Sequence, residues 1–351
     1  MNTRQAAIER MNTLGERREP FLFLIDFEEQ MPLVLPLSEV DPAQLWYDFS
    51  GNTNAPSGKE TKPKPVDLQA IPLSFDEFVS AFNPVQRELQ AGNTFLLNLT
   101  ASTRIECSLT FQEIFQHSQA RYKLWWRGLD AKALREVHAP PKPPPKSDEF
   151  ICFSPEPFVR VEGNRIATFP MKGTLPAHLP DARQQLLADK KEEAEHYTIV
   201  DLLRNDLSQV AKRVRVERFR YIEEVATHGQ TLLQISSEIS GELPKNWPDT
   251  LGDWFFKLLP AGSVSGAPKR KTLEIIRTVE GKPRGFYTGV GGIFNGNTLD
   301  SGVLIRFIEK TPDGLAFRSG GGITFQSDAG AEYRELLDKI YVPIPRNHPV
   351  L

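Results

Sequence analysis

Cysteine is almost missing from this chain: Cys107 and Cys152 are the only two in 351 residues. Two thiols cannot make a metal site by themselves, and so sparse a use fits a reducing compartment. Both lie among apolar neighbours, in IECSL and FICFS, and read as packing residues. No apolar run approaches the ~20 residues that a membrane-spanning helix needs. The N-terminal stretch also lacks the positive region, apolar core and cleavage site of a secretory leader. A cytoplasmic protein with no membrane contact is expected. Charge of one sign is not in excess either: 42 Lys and Arg against 45 Asp and Glu leave a net charge of −3. That balance gives no reason to expect a nucleic-acid partner. The most basic stretch, AKRVRVERFR at 211–220, alternates charge with Val and Phe and reads as a strand with one wet face. No internal repeat is found.

What is present bounds the fold. Hydrophobic residues make up 40% of the chain and charged residues 25%, ordinary values for a globular protein with one large domain or two modest ones. Between residues 20 and 50, short apolar runs (PFLFLIDF, MPLVLPL) alternate with turns and predict strands that open a sheet. NTNAPSGKETKPKP at 52–65 has nothing to bury beyond Ala55 and prolines, and predicts a mobile loop. A helix is predicted over 76–90, ending near Gly92, followed by a turn into a long strand through GNTFLLNLTASTRIE. APPKPPPKS at 139–147 reads as a surface excursion between structured stretches, in preference to a polyproline ligand. Residues 1–70 are expected to be short N-terminal strands and a loop of the same fold, and 71–345 the main domain.

Lys172, in FPMKGT at 169–174, stands between an apolar strand-like run and a glycine turn. Taken alone it is either a solvated turn lysine or a nucleophile. A helix with few breakers is predicted from about Asp181 to Val210, on which Glu192, Glu195, Ile199 and Leu202 share one stripe. Glu332, Glu335, Lys339 and Ile340 repeat the device near the end of the chain. Carboxylates on a face that wants burial need cations, so two such helices can close an all-oxygen site suited to Mg²⁺. Ordinary exposed surface charge is the other reading. Ser265, Gly266, Ala267 and Pro268 look like the start of a helix running through KRKTLEIIRTVE to Gly281, with backbone amides able to hold a carboxylate. Lys269 does not have the spacing of a phosphate-binding loop. Gly320, Gly321 and Gly322 form no dinucleotide fingerprint, although they let a backbone approach a ligand. Arg306, in GVLIRFI, is a charge on a predicted strand and needs an anionic partner if it points inward. Tyr287 offers a hydroxyl. Core packing or an ordinary cap accounts for each of these taken singly, as it does for His228 beside its glycine.

Their order is what discriminates. SPE at 154–156 is followed by FPMKGT, the ExxEH of Glu192, Glu195 and His196, IVDLLRNDL at 199–207 and PAGSVSGAPKRKTLEII at 260–276. Then come RGFYTGVGG at 284–292, GGGI at 320–323 and the second ExxE. As a series over about residues 75–345, this resembles the chorismate-utilising enzymes. The resemblance implies one large α+β chorismate-binding catalytic domain, with two antiparallel β-sheets packed face to face and helices outside in α/β/β/α layers. It implies that Glu192, Glu195, Glu332 and Glu335 hold Mg²⁺ against the ring carboxylate of chorismate. Arg306 and Tyr287 match residues that bind the pyruvyl carboxylate. Ser265, Gly266, Gly320, Gly321 and Gly322 match the pocket lining, Thr174 and Lys339 are placed with the substrate, and His228 lies near the departing hydroxyl.

The Lys-Gly-Thr version of the first motif is similar to that of the aminodeoxychorismate synthase component I branch. In that branch the lysine adds at C2, after which ammonia enters at C4 and expels it. Lys172 then has the role of nucleophile and Glu156 that of acid/base, and 4-amino-4-deoxychorismate, on the way to p-aminobenzoate and folate, is the product. Anthranilate synthases have a small residue at this place. Leu96 stands where water-activating members carry a lysine and ammonia-using members a glutamine, and so departs from both. Neither cysteine has the glycine-flanked elbow of a glutaminase, so ammonia is expected from a glutamine amidotransferase subunit. The alternatives are anthranilate synthase component I or another chorismate-utilising enzyme, and a non-catalytic partner-binding subunit on the same fold.

Overall fold

The computed structural model describes residues 3–56, 66–128, 149–188, 190–226 and 231–344. Residues 57–65 of the expected loop, the proline run at 139–147 and His228 lie outside the described residues.

Among the described residues, two sheets of nine strands form the body, antiparallel in every pairing. The first runs in the order Met171–Pro176, Thr231–Glu242, Arg165–Thr168, Pro157–Glu162, Leu299–Val303, Val290–Phe294, Phe21–Ile25 and Leu33–Pro36, with Lys212–Ala226 also paired to Thr231–Glu242. The second runs Gly266–Ala267, Leu96–Cys107, Gly314–Thr324, Phe307–Thr311, Phe150–Ser154, Tyr122–Trp126, Leu45–Phe49 and Asn52–Thr53, with Leu68–Ile71 also on Leu96–Cys107. The strands expected between residues 20 and 50 therefore divide between two sheets. Asn52 and Thr53, expected in a loop, pair back on Phe49 and Asp48.

Alternation along the strands sets the layers. Phe21–Ile25 is buried at all five positions, the mark of a strand covered on both faces. Leu22 and Leu24 pack with Leu45, Tyr47, Tyr122 and Leu124 of the other sheet. Phe21, Phe23 and Ile25 join Met11, Trp254 and Phe255 of the helices Thr3–Glu16 and Leu251–Phe255. In the second sheet, Cys152 faces inward with Leu124 and Phe307, while Ile151 and Phe153 face Phe111, Ile114 and Phe115 of the outer helix Phe111–His117. The result is the expected α/β/β/α arrangement.

Helix limits follow local chemistry. Ser74 and Glu77 close a capping box at the start of Phe75–Gln90, and Thr110 and Glu113 do the same for Phe111–His117. The helix predicted over 181–210 is seen over Ala182–Ala188 and Lys190–Ser208, with residue 189 outside the described residues. No helix among the described residues is long and apolar enough to cross a membrane.

Arg284, with 1% of its side chain exposed, joins several of these parts. Its guanidinium donates to Glu280, the carbonyl of Val264 and the carbonyl of Asn98, over the ring of Phe27 at 4.4 Å. The carboxylate of Glu28 accepts the amides of Arg284 and Gly285.

Candidate active site

The chain crosses between the sheets twice at one place. Phe150–Ser154 of the second sheet leads into Pro157–Glu162 of the first, and Leu299–Val303 of the first leads into Phe307–Thr311 of the second. The crossings lie side by side: Phe153 N–H donates to the Arg306 carbonyl at 3.1 Å, and Val303 N–H to the Glu156 carbonyl at 3.0 Å. Glu156 and Arg306, 150 positions apart in the chain, thereby meet at the seam. Arg306 is at the bend before its strand, not within it as the sequence suggested, in the left-handed region at φ 55°. Non-glycine residues rarely adopt that conformation. Burial pushes the Glu156 carboxyl above the usual carboxylate range, while the hydrogen bond from Ser263 Oγ and the charges of Arg306, Lys172 and Lys339 pull it back only in part.

Lys172 is aimed by a bulge. Met171 and Lys172 pair with Ser236 and Ile235, the register slips at Gly173, and Thr174 resumes pairing with Gln234. Gly173 has φ 68°, which glycine tolerates and other residues resist. Lys172 Nζ donates to Glu195 Oε2 at 2.9 Å, with a quarter of the lysine side chain and 8% of the glutamate's exposed. It also lies 3.7 Å from where a methyl at Gly322 would stand. Burial disfavours the ammonium, but Glu195, Glu192 and Glu335 outweigh it and hold the pKa above the ordinary lysine value.

The two carboxylate helices face this lysine. Glu192 Oε2 approaches the bulge, 3.6 Å from where a methyl at Gly173 would stand. A methyl at Gly321 would lie 3.5 Å from Glu332 Oε2, 3.8 Å from Lys339 Nζ and 3.9 Å from Glu335 Oε1. Lys339 caps the Ala329–Asp338 helix and donates to Glu335 Oε1 at 2.7 Å and the Gly320 carbonyl at 2.8 Å. Burial lowers its pKa despite Glu335. The glutamate oxygens are hard donors of the kind that Mg²⁺ takes. Among the described residues, however, no three His, Cys, Asp or Glu groups already stand close enough together to hold a metal ion. Glu195 and Glu335 instead meet the charge of two lysines. The donor chemistry fits Mg²⁺, with one oxygen of Glu195 and one of Glu335 engaged by a lysine.

The other expected residues are placed as follows. Ser265 and Gly266 do not begin a helix: Ser265 follows a 3₁₀ turn at Gly262–Val264 and donates its amide to Gly262, while Gly266 pairs with Leu97. The helix starts at Lys269, after Pro268. Gly266 is needed for packing, since at φ 136° a methyl there would meet the Leu96 carbonyl at 1.9 Å. Tyr287 is buried with its ring 4.9 Å from the Arg318 guanidinium carbon, and burial pushes its hydroxyl up to about 12, so it remains a donor. Gly320, Gly321 and Gly322 pair with Thr100, Leu99 and Asn98. Sequence reasoning missed Ser263, the hydrogen-bond partner of Glu156, although the motif containing it was noted. It also gave His196 no role. Burial and the nearby Arg220 and Lys172 push this imidazole down to about 4, so it is neutral, with Nε2 2.7 Å from Ser237 Oγ.

A family model described as chorismate binding enzyme matches residues 35–345. The chain belongs to that family. Among relatives of this chorismate-binding enzyme, a PabA-like protein of Haemophilus influenzae is 47% identical over 343 residues and 98% of each chain. Aminodeoxychorismate synthase component 1 of Bacillus subtilis is 30% identical over 342 residues, 93% of this chain and 67% of its own. The fold is shared with the menaquinone-specific isochorismate synthase of Escherichia coli, at a TM-score of 0.68, 16% identity and coverage of 95% of this chain and 80% of the other.

Proposed function

We propose that this chorismate-binding enzyme is an aminodeoxychorismate synthase component I, converting chorismate and ammonia to 4-amino-4-deoxychorismate and water. The observation that carries the reading is the position of Lys172. The bulge directs its amine toward the glycine strand and between glutamates of both ExxE helices, where the anthranilate branch has a small residue. Likeness to the Bacillus subtilis enzyme supports the same branch.

Lys172 attacks C2 as the free amine, so its hydrogen bond to Glu195 must be given up or its proton passed along it. Glu156, with its raised pKa, carries the proton that leaves with the 4-hydroxyl. Ammonia then bonds to C4 and the lysine leaves C2. Arg306 and Tyr287 hold the pyruvyl carboxylate. Mg²⁺, when bound by Glu192, Glu195, Glu332 and Glu335, would neutralise the ring carboxylate.

The test is product identification after incubation with chorismate, Mg²⁺ and ammonium at alkaline pH. The expected product is 4-amino-4-deoxychorismate. Formation of the 2-amino isomer or anthranilate overturns this assignment in favour of the anthranilate branch, and no amine at all overturns amination. Glutamine should serve only after an amidotransferase subunit is added.

A further inference from the structure

Asn98 lies on the Leu96–Cys107 strand opposite Gly322. Its backbone is fully engaged: the N–H donates to the Ser265 carbonyl at 2.9 Å, and the carbonyl accepts from Arg284 Nη2 at 2.7 Å. The side chain is not. Asn98 Oδ1 is buried and has no hydrogen-bond partner among the described residues. Leaving such an acceptor unmade costs about 1–3 kcal/mol, and native proteins retain few of them.

Its direction is informative. A methyl at Gly320 would stand 3.3 Å from Asn98 Oδ1, and one at Gly322 would stand 3.2 Å from Leu96 Cδ1 and 3.7 Å from Lys172 Nζ. Alternate residues of paired strands share a face. Leu96, Asn98, Gly320 and Gly322 therefore share the face on which the Lys172 amine lies. Leu96 offers no hydrogen bond there, and the two glycines place no side chain beside the oxygen, although the Leu99 carbonyl and the Thr100 methyl stand close to Gly320.

We propose that Asn98 Oδ1 is the acceptor that orients the ammonia nucleophile, an inference that rests on the amination reaction proposed above. Ammonia attacks through its lone pair, which leaves its N–H bonds pointing away and in need of acceptors. As the N–C bond forms, the nitrogen gains positive charge and becomes a stronger donor. An oxygen placed behind it accepts one of these N–H bonds already in the bound complex, so losing it weakens ammonia binding. A carboxylate at the same place would retain ammonium, which has no lone pair to attack with. The neutral carboxamide holds ammonia in its reactive form.

The test uses the full chain with chorismate, Mg²⁺ and a series of ammonium concentrations at alkaline pH. Asn98→Ala should raise the KM for ammonia about tenfold, the scale of one lost hydrogen bond, and leave the KM for chorismate within about twofold. Asn98→Asp, which has the same shape, should also raise the ammonia KM. An unchanged ammonia KM, or an equal rise in both constants, overturns the inference. If Asn98→Ala loses its near-UV circular dichroism, Asn98→Asp decides by the same criterion. A wild-type chain that forms no amine removes the proposed function and this role together. A wild-type chain that aminates while both variants keep its ammonia KM removes only the role of Asn98.

Discussion

Lys172 and Glu195 are joined by a 2.9 Å hydrogen bond from the edge strand Met171–Pro176 to the helix Lys190–Ser208. The pair brings a half-buried ammonium and a buried carboxylate together at the place where the proposed chemistry needs a neutral amine. Three glutamates hold the lysine protonated against the effect of its burial. For the proposed reaction, the lysine is thus inactive as a nucleophile until this contact changes.

Removing that amine should separate binding from chemistry. Lys172→Ala is expected to bind chorismate but lose at least about 100-fold in amination, the usual scale for an essential group. Lys172→Arg keeps a cation beside Glu195 and should fold normally without restoring turnover, since guanidinium is a poor nucleophile. Substrate binding by fluorescence and amination rates check both, and a wild-type rate from Lys172→Ala refutes covalent catalysis.

Chelation should abolish turnover and Mg²⁺ should restore it. Glu195→Gln and Glu335→Gln should weaken the response to Mg²⁺ while far-UV circular dichroism stays unchanged. Full activity in excess chelator would show that the four glutamates serve another purpose.

Gly173→Ala tests the bulge. A left-handed alanine costs about 1–2 kcal/mol, and its methyl would meet Leu186 Cδ1 at 3.1 Å. Stability in urea should fall by about that amount, and kcat should fall further because Lys172 is re-aimed. A wild-type kcat would show that the bulge does not position the amine.

Asp26 gives a pH signature away from the pocket. It is 2% exposed, and burial pushes its carboxyl from 3.8 up to about 6 although the amides of Gln30 and Met31 donate to it. The folded chain therefore binds the extra proton between those values, and stability falls as pH rises through them. The size is on the order of 2–3 kcal/mol. Asp26→Asn removes this dependence, so the variant should gain that much on wild type between pH 4 and pH 7 in urea melts. No relative change would contradict the raised pKa.

Much of the fold was legible because its signals are local. Ser74 with Glu77 marks a helix start, and the wet face of Lys212–Ala226 shows in its alternating charge. The helix Thr3–Glu16 was expected as strands and loop, although Ala7, Ile8, Met11 and Leu14 stand at helical spacing; the stripe is narrow and its burial depends on the distant helix Leu251–Phe255. The start at Ser265 was misread because Gly266 and Ala267 take strand partners, Leu97 and Leu96, from far along the chain. Within the candidate site, order in the sequence brought out Glu156, Lys172 and the glutamates. Ser263 and Asn98 were beyond its reach: one is defined by a hydrogen bond spanning 107 positions, the other by an oxygen with no hydrogen-bond partner among the described residues.

Arg284 extends the pocket's support to the N-terminal segment. Phe27 and Glu28 hold the arginine from one side, and from the other it grips the carbonyls of Asn98 and Val264. A proteolytic cut near residue 28 would loosen the strand that carries Leu96 and Asn98 without touching either residue. Amide hydrogens at Asn98 and Gly285 are accordingly expected to exchange together, which would tie loosening of the pocket wall to release of the turn at Phe27 and Glu28.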